Sequence, residues 1–345
     1  MRRIVGPFLA SLLLLIFPSA ASAQSVAQFY RGKIVTIFVG FGTGGGYDGY
    51  AQLLARHMGR HIPGEPNLIV KHMAGAGSML MTNYLYNVAP RDGTAFGIMA
   101  SNVAFSPLIG SAEEKSAVKF EAAKLGWLGS LEKFTPLGLA WHNTGIRTLD
   151  DVKKREMRFG SSGPSSGGEI YAQLLNEMLG TKLKSIRGYR GSNDITLAIE
   201  RGEVDGFIGW CWTCMKAEKP QYLANKLVNV FVQLGLDPEP EMAGIPAALD
   251  LITDPRDHQA ARLILTNLAM SRPFATPPDV PAERLAALRD AFNAVTTDPE
   301  FLSEAKRTGR DISLYKGPEI DRLLKETYSL SADIVKRANE VSVPR

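Results

Sequence analysis

Cysteine is almost missing from this chain: two residues in 345, Cys211 and Cys214. That excludes a small fold stapled by several disulfides. Charge of one sign is missing too. Lys and Arg number 39 against 35 Asp and Glu, a net of +4 without a concentrated basic block, so the electrostatic footprint of a nucleic-acid binder is absent. Long apolar runs are scarce. The main one, residues 4–17, is shorter than the roughly 20 residues that span a bilayer. There is no low-complexity tract or short-period repeat. No Ser-His-Asp set or paired-carboxylate arrangement can be picked out, and no catalysis is expected.

The short apolar run has a clear alternative meaning. Arg2 and Arg3 precede it and Ala21-Ser22-Ala23 follows, the order of a secretory signal peptide with a small-residue cleavage site. No cysteine stands at that site to carry a lipid. The expectation is an exported, soluble protein of the periplasm whose mature chain starts near Gln24. Removing residues 1–23 leaves 322 residues (345 minus 23) and a formal charge of +2 (+4 minus Arg2 and Arg3). That length suits two domains.

Glycine, by contrast, is abundant and clustered. Residues 34–58 read IVTIFVGFGTGGGYDGYAQLLARHM: an alternating β-branched run, five glycines (Gly40, Gly42, Gly44, Gly45, Gly46), then a segment with Tyr47, Tyr50, Leu54 and Met58 on one helical face. Strand, glycine loop and helix start is the arrangement in which free N–H groups and a helix dipole receive an anion. A second strand at 67–71, a glycine loop at 74–78, a helix and a strand at 95–99 leading to Ser101 and Asn102 complete a βαβαβ pattern. Such patterns make parallel sheets that bind ligands at the C-terminal ends of their strands.

The same design recurs further on. A short strand at 157–160 runs into the small-residue loop SSGPSSGG (161–168) and a helix from Glu169 to Leu179. A strand at 186–189, the loop 190–193, a helix at 194–201 and a strand at 204–208 follow. Extended runs at 126–141 and 231–236 suit crossings between domains. The expected division is a signal peptide at 1–23, a discontinuous first domain at 24–136 and 231–345, and a second domain at 137–230. Two such loops in two domains would put two helix N-termini across a cleft. Each charge-assisted hydrogen bond contributes about 1.5–3 kcal/mol, so three or four supply much of the roughly 8 kcal/mol of a micromolar complex.

Several rival motifs are weaker. Gly40, Gly42 and Gly45 match a dinucleotide fingerprint, but Lys71 and His72 stand where its acidic residue belongs, and no cofactor is expected. The C-x-x-C pair Cys211/Cys214 lacks a thioredoxin-like context, leaving a structural disulfide or two inert thiols. His57 and His61 could share a helix face, but no acidic third ligand stands beside them in sequence, so they read as a solvated pair. Trp210 and Trp212 follow the strand 204–208 at its cleft end. Trp210 is counted as a candidate ligand contact, with core packing as the competing role.

The segments FVGFGTGGGYDGYAQLLA, GAG at 75–77, APRDGTAFG, FGSSGPSSGGEIYAQLL, GYRGSNDITLAIERGEVD and FATPPDVPAERLAALRDAF, in this order and spacing, give the chain a resemblance over nearly its whole mature length. It resembles the TctC or Bug family of periplasmic receptors of tripartite tricarboxylate transporters. The resemblance implies an α/β, two-lobed periplasmic binding protein (type II-like): two mixed-sheet domains joined by two crossing strands. It implies a non-enzymatic monomer that takes a small organic acid and hands it to the transporter's membrane subunits. A sensor presenting the same ligand to a signalling partner is the alternative. Carried over by position, the first ligand loop contains Phe41, Thr43, Gly44, Gly45, Tyr47 and Asp48. The second contains Ser161, Ser162, Ser165 and Ser166, and Ser101, Asn102, Tyr189 and Asn193 complete the set. Glu169 stands where the family often has histidine. If it faces the cleft, its charge disfavours a second carboxylate on the ligand.

Overall fold

The computed structural model describes residues 25–342 apart from Ser111, Ser162, Pro164, Ser165, Arg190 and Gly191. The expected leader (1–23) and two expected ligand contacts, Ser162 and Ser165, lie outside the described residues.

The described residues form eleven strands: β1 Ile34–Val39, β2 Asn67–His72, β3 Ala95–Ile98, β4 Gly126–Ser130, β5 Pro136–Trp141, β6 Met157–Ser161, β7 Leu183–Arg187, β8 Gly206–Cys211, β9 Val228–Gln233, β10 Pro273–Thr276 and β11 Tyr315–Lys316. Two mixed sheets result, ordered β11-β4-β10-β3-β1-β2 and β7-β6-β8-β5-β9. In the first, β1 lies parallel to β2 and β3, while β10 runs antiparallel to β3 and β4. In the second, β6 is parallel to β7 and β8, and β5 is antiparallel to β8 and β9. Placement explains composition: β1, central and covered on both faces, buries Val35, Ile37, Phe38 and Val39, whereas edge strand β2 leaves Ile69 and Lys71 exposed.

Register decides how the lobes meet. Val39 pairs with Ile98, Ile98 with Phe274, and Phe274 with Gly129, so β1, β3 and β4 end on one edge, where the first glycine loop sits. In the second sheet Pro136 pairs with Cys211, Leu137 with Gln233 and Gly160 with Phe207. Strand β5 therefore begins where β6, β8 and β9 end, beside the second loop. The short run 131–135 joins these two edges directly, so the C-terminal ends of the parallel strands of both sheets meet at the crossing.

Several boundaries differ from the sequence reading: the strand expected at 186–189 runs over Leu183–Arg187, and the extended run expected at 231–236 is β9, Val228–Gln233. Strand β8 runs on to Cys211, because Trp210 and Cys211 pair with β5. Within the span 231–345, helices Pro255–Leu265 and Ala332–Ser342 bury Ala260, Ile264, Ile334, Ala338 and Val341 in one cluster with Leu174 and Leu175 of the second lobe's helix Gly167–Leu179. Their apolar faces match that helix, so they pack on the second lobe, while Asn339 of the last helix also donates to the Leu108 carbonyl at 2.8 Å in the first span. Among the described residues no helix is long and apolar enough to cross a membrane.

Candidate functional site

The first loop leads from β1 into helix Gly46–His57, whose N-cap is Gly45 and which has no side-chain cap. Thr43, Gly44 and Gly45 are exposed, and Phe41 and Tyr47 are half-buried. Their rings stack with centroids 4.1 Å apart and planes 16° apart, making a flat aromatic wall beside the free helix end. Asp48 turns inward. Its carboxylate accepts the Gly44 N–H at 2.7 Å, Gln52 Nε2 at 3.3 Å and pairs with His72 Nε2 at 2.8 Å. Burial pushes this carboxyl up, but the hydrogen bonds from Gly44, His72 and Gln52 prevail and hold it below the ordinary value. Asp48 thus braces the loop, and the Gly44 N–H is occupied by it.

Ser101 joins this site because its backbone, at the start of the 3-10 turn Ser101–Phe105, faces the Tyr47 hydroxyl. Burial raises that phenol's pKa, opposed by Arg272 and by Ser101. Asn102 is exposed, with its carbonyl accepting from Ser106 Oγ.

The second loop is built around Ser161, 2 % exposed at the end of β6. Its hydroxyl lies 3.0 Å from Ser166 Oγ and accepts the Gly163 N–H at 3.2 Å, and its carbonyl accepts the N–H groups of Gly188 and Tyr189. Helix Gly167–Leu179 again starts without a side-chain cap, so its first N–H groups stay available. A cavity of about 310 Å³ opens there, lined by Phe134, Ser161, Ser166, Gly167, Tyr171 and Phe207 among others. Ser192 reaches the same cavity. Its neighbour Asn193 is exposed, with its carbonyl held by Thr196 Oγ1.

Two expected contacts are corrected. Glu169 is 5 % exposed and forms a two-bond pair with Arg187, at 2.9 and 3.2 Å. Burial pushes its carboxyl up, but Arg187, Ser185 and Ser161 outweigh that and hold it below the ordinary value. Its charge is paired with Arg187, so the structure gives no support to the expectation that it opposes a ligand carboxylate. Trp210 is 4 % exposed, stacked on Phe207 and edge-on to Tyr222: it is core. The reason is a bulge. The pairing of β8 with β5 skips a residue at Gly209, which has φ of +93°, and the extra residue puts Phe207 and Trp210 on one face.

Other motifs settle structurally. Cys211 and Cys214 form a disulfide. His57 and His61 pair with Glu304 at 2.7 Å and Asp298 at 2.8 Å, and are therefore not a solvated pair. His57, Asp298 and Glu300 come within 4.8 Å of one another, but Arg60 hydrogen-bonds both acids, which makes the group an ion-pair clamp.

Sequence reading passed over Arg272 and Glu132. Arg272 stands immediately before β10 on the cleft edge, its guanidinium 4.5 Å from the Tyr47 ring centre and 5.4 Å from that of Tyr50. A Cβ placed on Gly46 would lie 3.3 Å from Arg272 Nη2, so the cation rests on the first turn of the loop helix. Glu132, on the crossing run, stands 3.1 Å from the same Nη2. The available signal was their setting: Glu132 beside Lys133 in LGSLEKF and Arg272 as the one charge in AMSRPFAT, both otherwise uncharged runs.

Fold and site together define a class: two α/β lobes meeting at the strand ends, each offering an uncapped helix N-terminus. Solved proteins of that class share the architecture. A TctC solute-binding protein from Polaromonas, solved without ligand, matches with a TM-score of 0.70 at 16 % identity, over 89 % of this chain and 99 % of that one. The periplasmic binding protein BugD matches at 0.59 and 17 %, over 91 % and 99 %. MatC from Rhodopseudomonas palustris, solved with bound malate, matches at 0.55 and 17 %, over 90 % and 99 %. No family model and no curated protein matches the chain. The chain has the fold of TctC and Bug periplasmic solute-binding proteins.

Proposed function

We propose that this chain is an extracytoplasmic receptor that captures a small organic carboxylate between its lobes, as a monomer, and delivers it to the membrane subunits of a tripartite tricarboxylate-type transporter. The observation that carries this reading is the pair of uncapped helices, Gly46–His57 and Gly167–Leu179, placed at strand ends that the crossing run brings together. Their N-terminal dipoles favour an anion, and the stacked Phe41 and Tyr47 rings with the cavity under Phe134 and Phe207 suit a carbon skeleton. The malate in MatC is a ligand of this kind on the same fold. Ligand contacts then come from the backbone of residues 41–47 and of Ser161, Gly163, Gly167 and Gly168, with Ser101, Ser166, Tyr189 and Asn193 at the rim.

Calorimetric titration of the mature protein with mono-, di- and tricarboxylates, beside native mass spectrometry for a co-purified acid, tests the proposal. One-to-one binding in the micromolar range or tighter is expected. The absence of both binding and a co-purified acid would overturn it. Co-purification with the membrane subunits tests delivery.

A further inference from the structure

Resting on the carboxylate reading above, we propose that Arg272 is the charged anchor for a ligand carboxylate at the first loop, and that Glu132 on the crossing run is its internal competitor. Four features point there. The guanidinium lies against the first turn of helix Gly46–His57 and over Tyr47, so cation and helix dipole converge on one place. The pairing with Glu132 is poor: Nη2 and Oε2 stand 3.1 Å apart, yet Oε2 is buried without a hydrogen bond, and Arg272 Nε is buried without a partner. Nη1 is used by the Ser271 carbonyl at 2.9 Å, which fixes the plane of the group. Finally, the Arg272 side chain keeps 20 % of its surface open, while Glu132 keeps 9 %.

An arginine satisfies a carboxylate best by a two-bond fork, and Glu132 does not supply one. A ligand carboxylate arriving at Gly46 meets the cation that Glu132 holds incompletely, and displaces it. Because Glu132 lies on the run that joins the lobes, this exchange occurs at the hinge.

The groups facing Glu132 are Arg272 just before β10, Tyr50 from the loop helix and Asp311 from the segment before β11, with Arg310 beside Tyr50. Burial raises the Glu132 carboxyl, against Arg272, and Asp311 raises it further. As pH falls, Glu132 takes up a proton and stops competing. Ligand affinity therefore rises with falling pH until the ligand's own carboxylate protonates, at about pH 4.

The test is calorimetry with succinate, glutarate, benzoate and citrate, and with their neutral amides, on the full mature chain. For each acid that binds, Arg272→Gln is expected to weaken affinity at least tenfold and Glu132→Gln to strengthen it severalfold. The amides should respond to neither. If Arg272→Gln fails to fold by circular dichroism, the double variant Glu132→Gln/Arg272→Gln, with no charge to bury, carries the comparison: it should bind at least tenfold more weakly than Glu132→Gln. Wild-type affinity should rise from pH 7.5 to pH 5, and Glu132→Gln should be flat. Acids binding wild type and the Arg272 variants equally, or a flat wild-type profile, would overturn the anchor while leaving the receptor reading intact. If none of the acids binds wild type and no acid co-purifies with it, both fall.

Discussion

Trp210 shows how one extra residue relocates a side chain. In an unbroken strand Phe207 and Trp210 would face opposite ways. The bulge at Gly209 aligns them, and their rings stack 5.6 Å apart at 14°. Trp210 Nε1 is buried without a partner, so Trp210→Phe keeps an aromatic ring and removes an unsatisfied donor. The expected stability change in urea unfolding is within about 1 kcal/mol, with carboxylate affinity unchanged. A tenfold loss of affinity would return Trp210 to the site. Glu169 is the second residue whose role was settled by a partner. Arg187 neutralises it, so Glu169→Gln should leave the preference between mono- and dicarboxylates unchanged in competition titrations. A new gain for dicarboxylates would show that the Glu169 charge reaches the cleft after all. The serine loop and helix start around Glu169 were legible from sequence, but the residue neutralising it, Arg187, lies on a different strand.

At the scale of elements, the first loop is held by what its helix leans on. Helix Gly46–His57 and its 3-10 extension Met58–His61 are clamped to helix Pro299–Arg307 and its N-cap Asp298 through Arg56, His57, Arg60 and His61. Glu304 is held down to about 2 by hydrogen bonds from His57 and then Arg56. A depressed carboxyl contributes stability that is present above its unfolded value, about 4.3, and is lost as pH falls through its folded one. The difference in melting temperature between wild type and Glu304→Gln should therefore shrink from about pH 4.5 downward and vanish near pH 2. With Arg56 about half exposed, the pair is worth at most about 1 kcal/mol. A difference that persists unchanged at pH 2 would mean that the Glu304 charge is not what matters. His57 and His61 were visible in sequence as neighbours on one face, but their acids arrive from residues 298–304, beyond the reach of any local pattern.

For the whole molecule, the C-terminal region divides between the lobes. Helices Ala282–Val295 and Pro299–Arg307 bury Leu288, Phe292 and Phe301 with β1 residues of the first lobe, whereas helix Ala332–Ser342 closes over the second. Ile334, 6 % exposed in that second core, gives a direct check. Ile334→Ala should cost about 2–4 kcal/mol in urea unfolding. Loss of less than about 0.5 kcal/mol would mean that the helix does not pack there.

Sequence by itself determined the two strand, loop and helix units, the glycine-rich turns at Gly40–Gly46 and Gly163–Gly168, and the mixed α/β character, because β-branched runs, glycine clusters and helical spacing act over a few residues. Tertiary structure alone decided which strand edges meet, that Glu132 stands beside Arg272 140 positions away (272 minus 132), that Trp210 is core, and that the last helix serves the second lobe. Periodicity tells a segment which of its faces to bury. It carries no label for the surface that will cover that face, and the pairing of Glu132 with Arg272 exists only once β4 and β10 lie side by side in the first sheet.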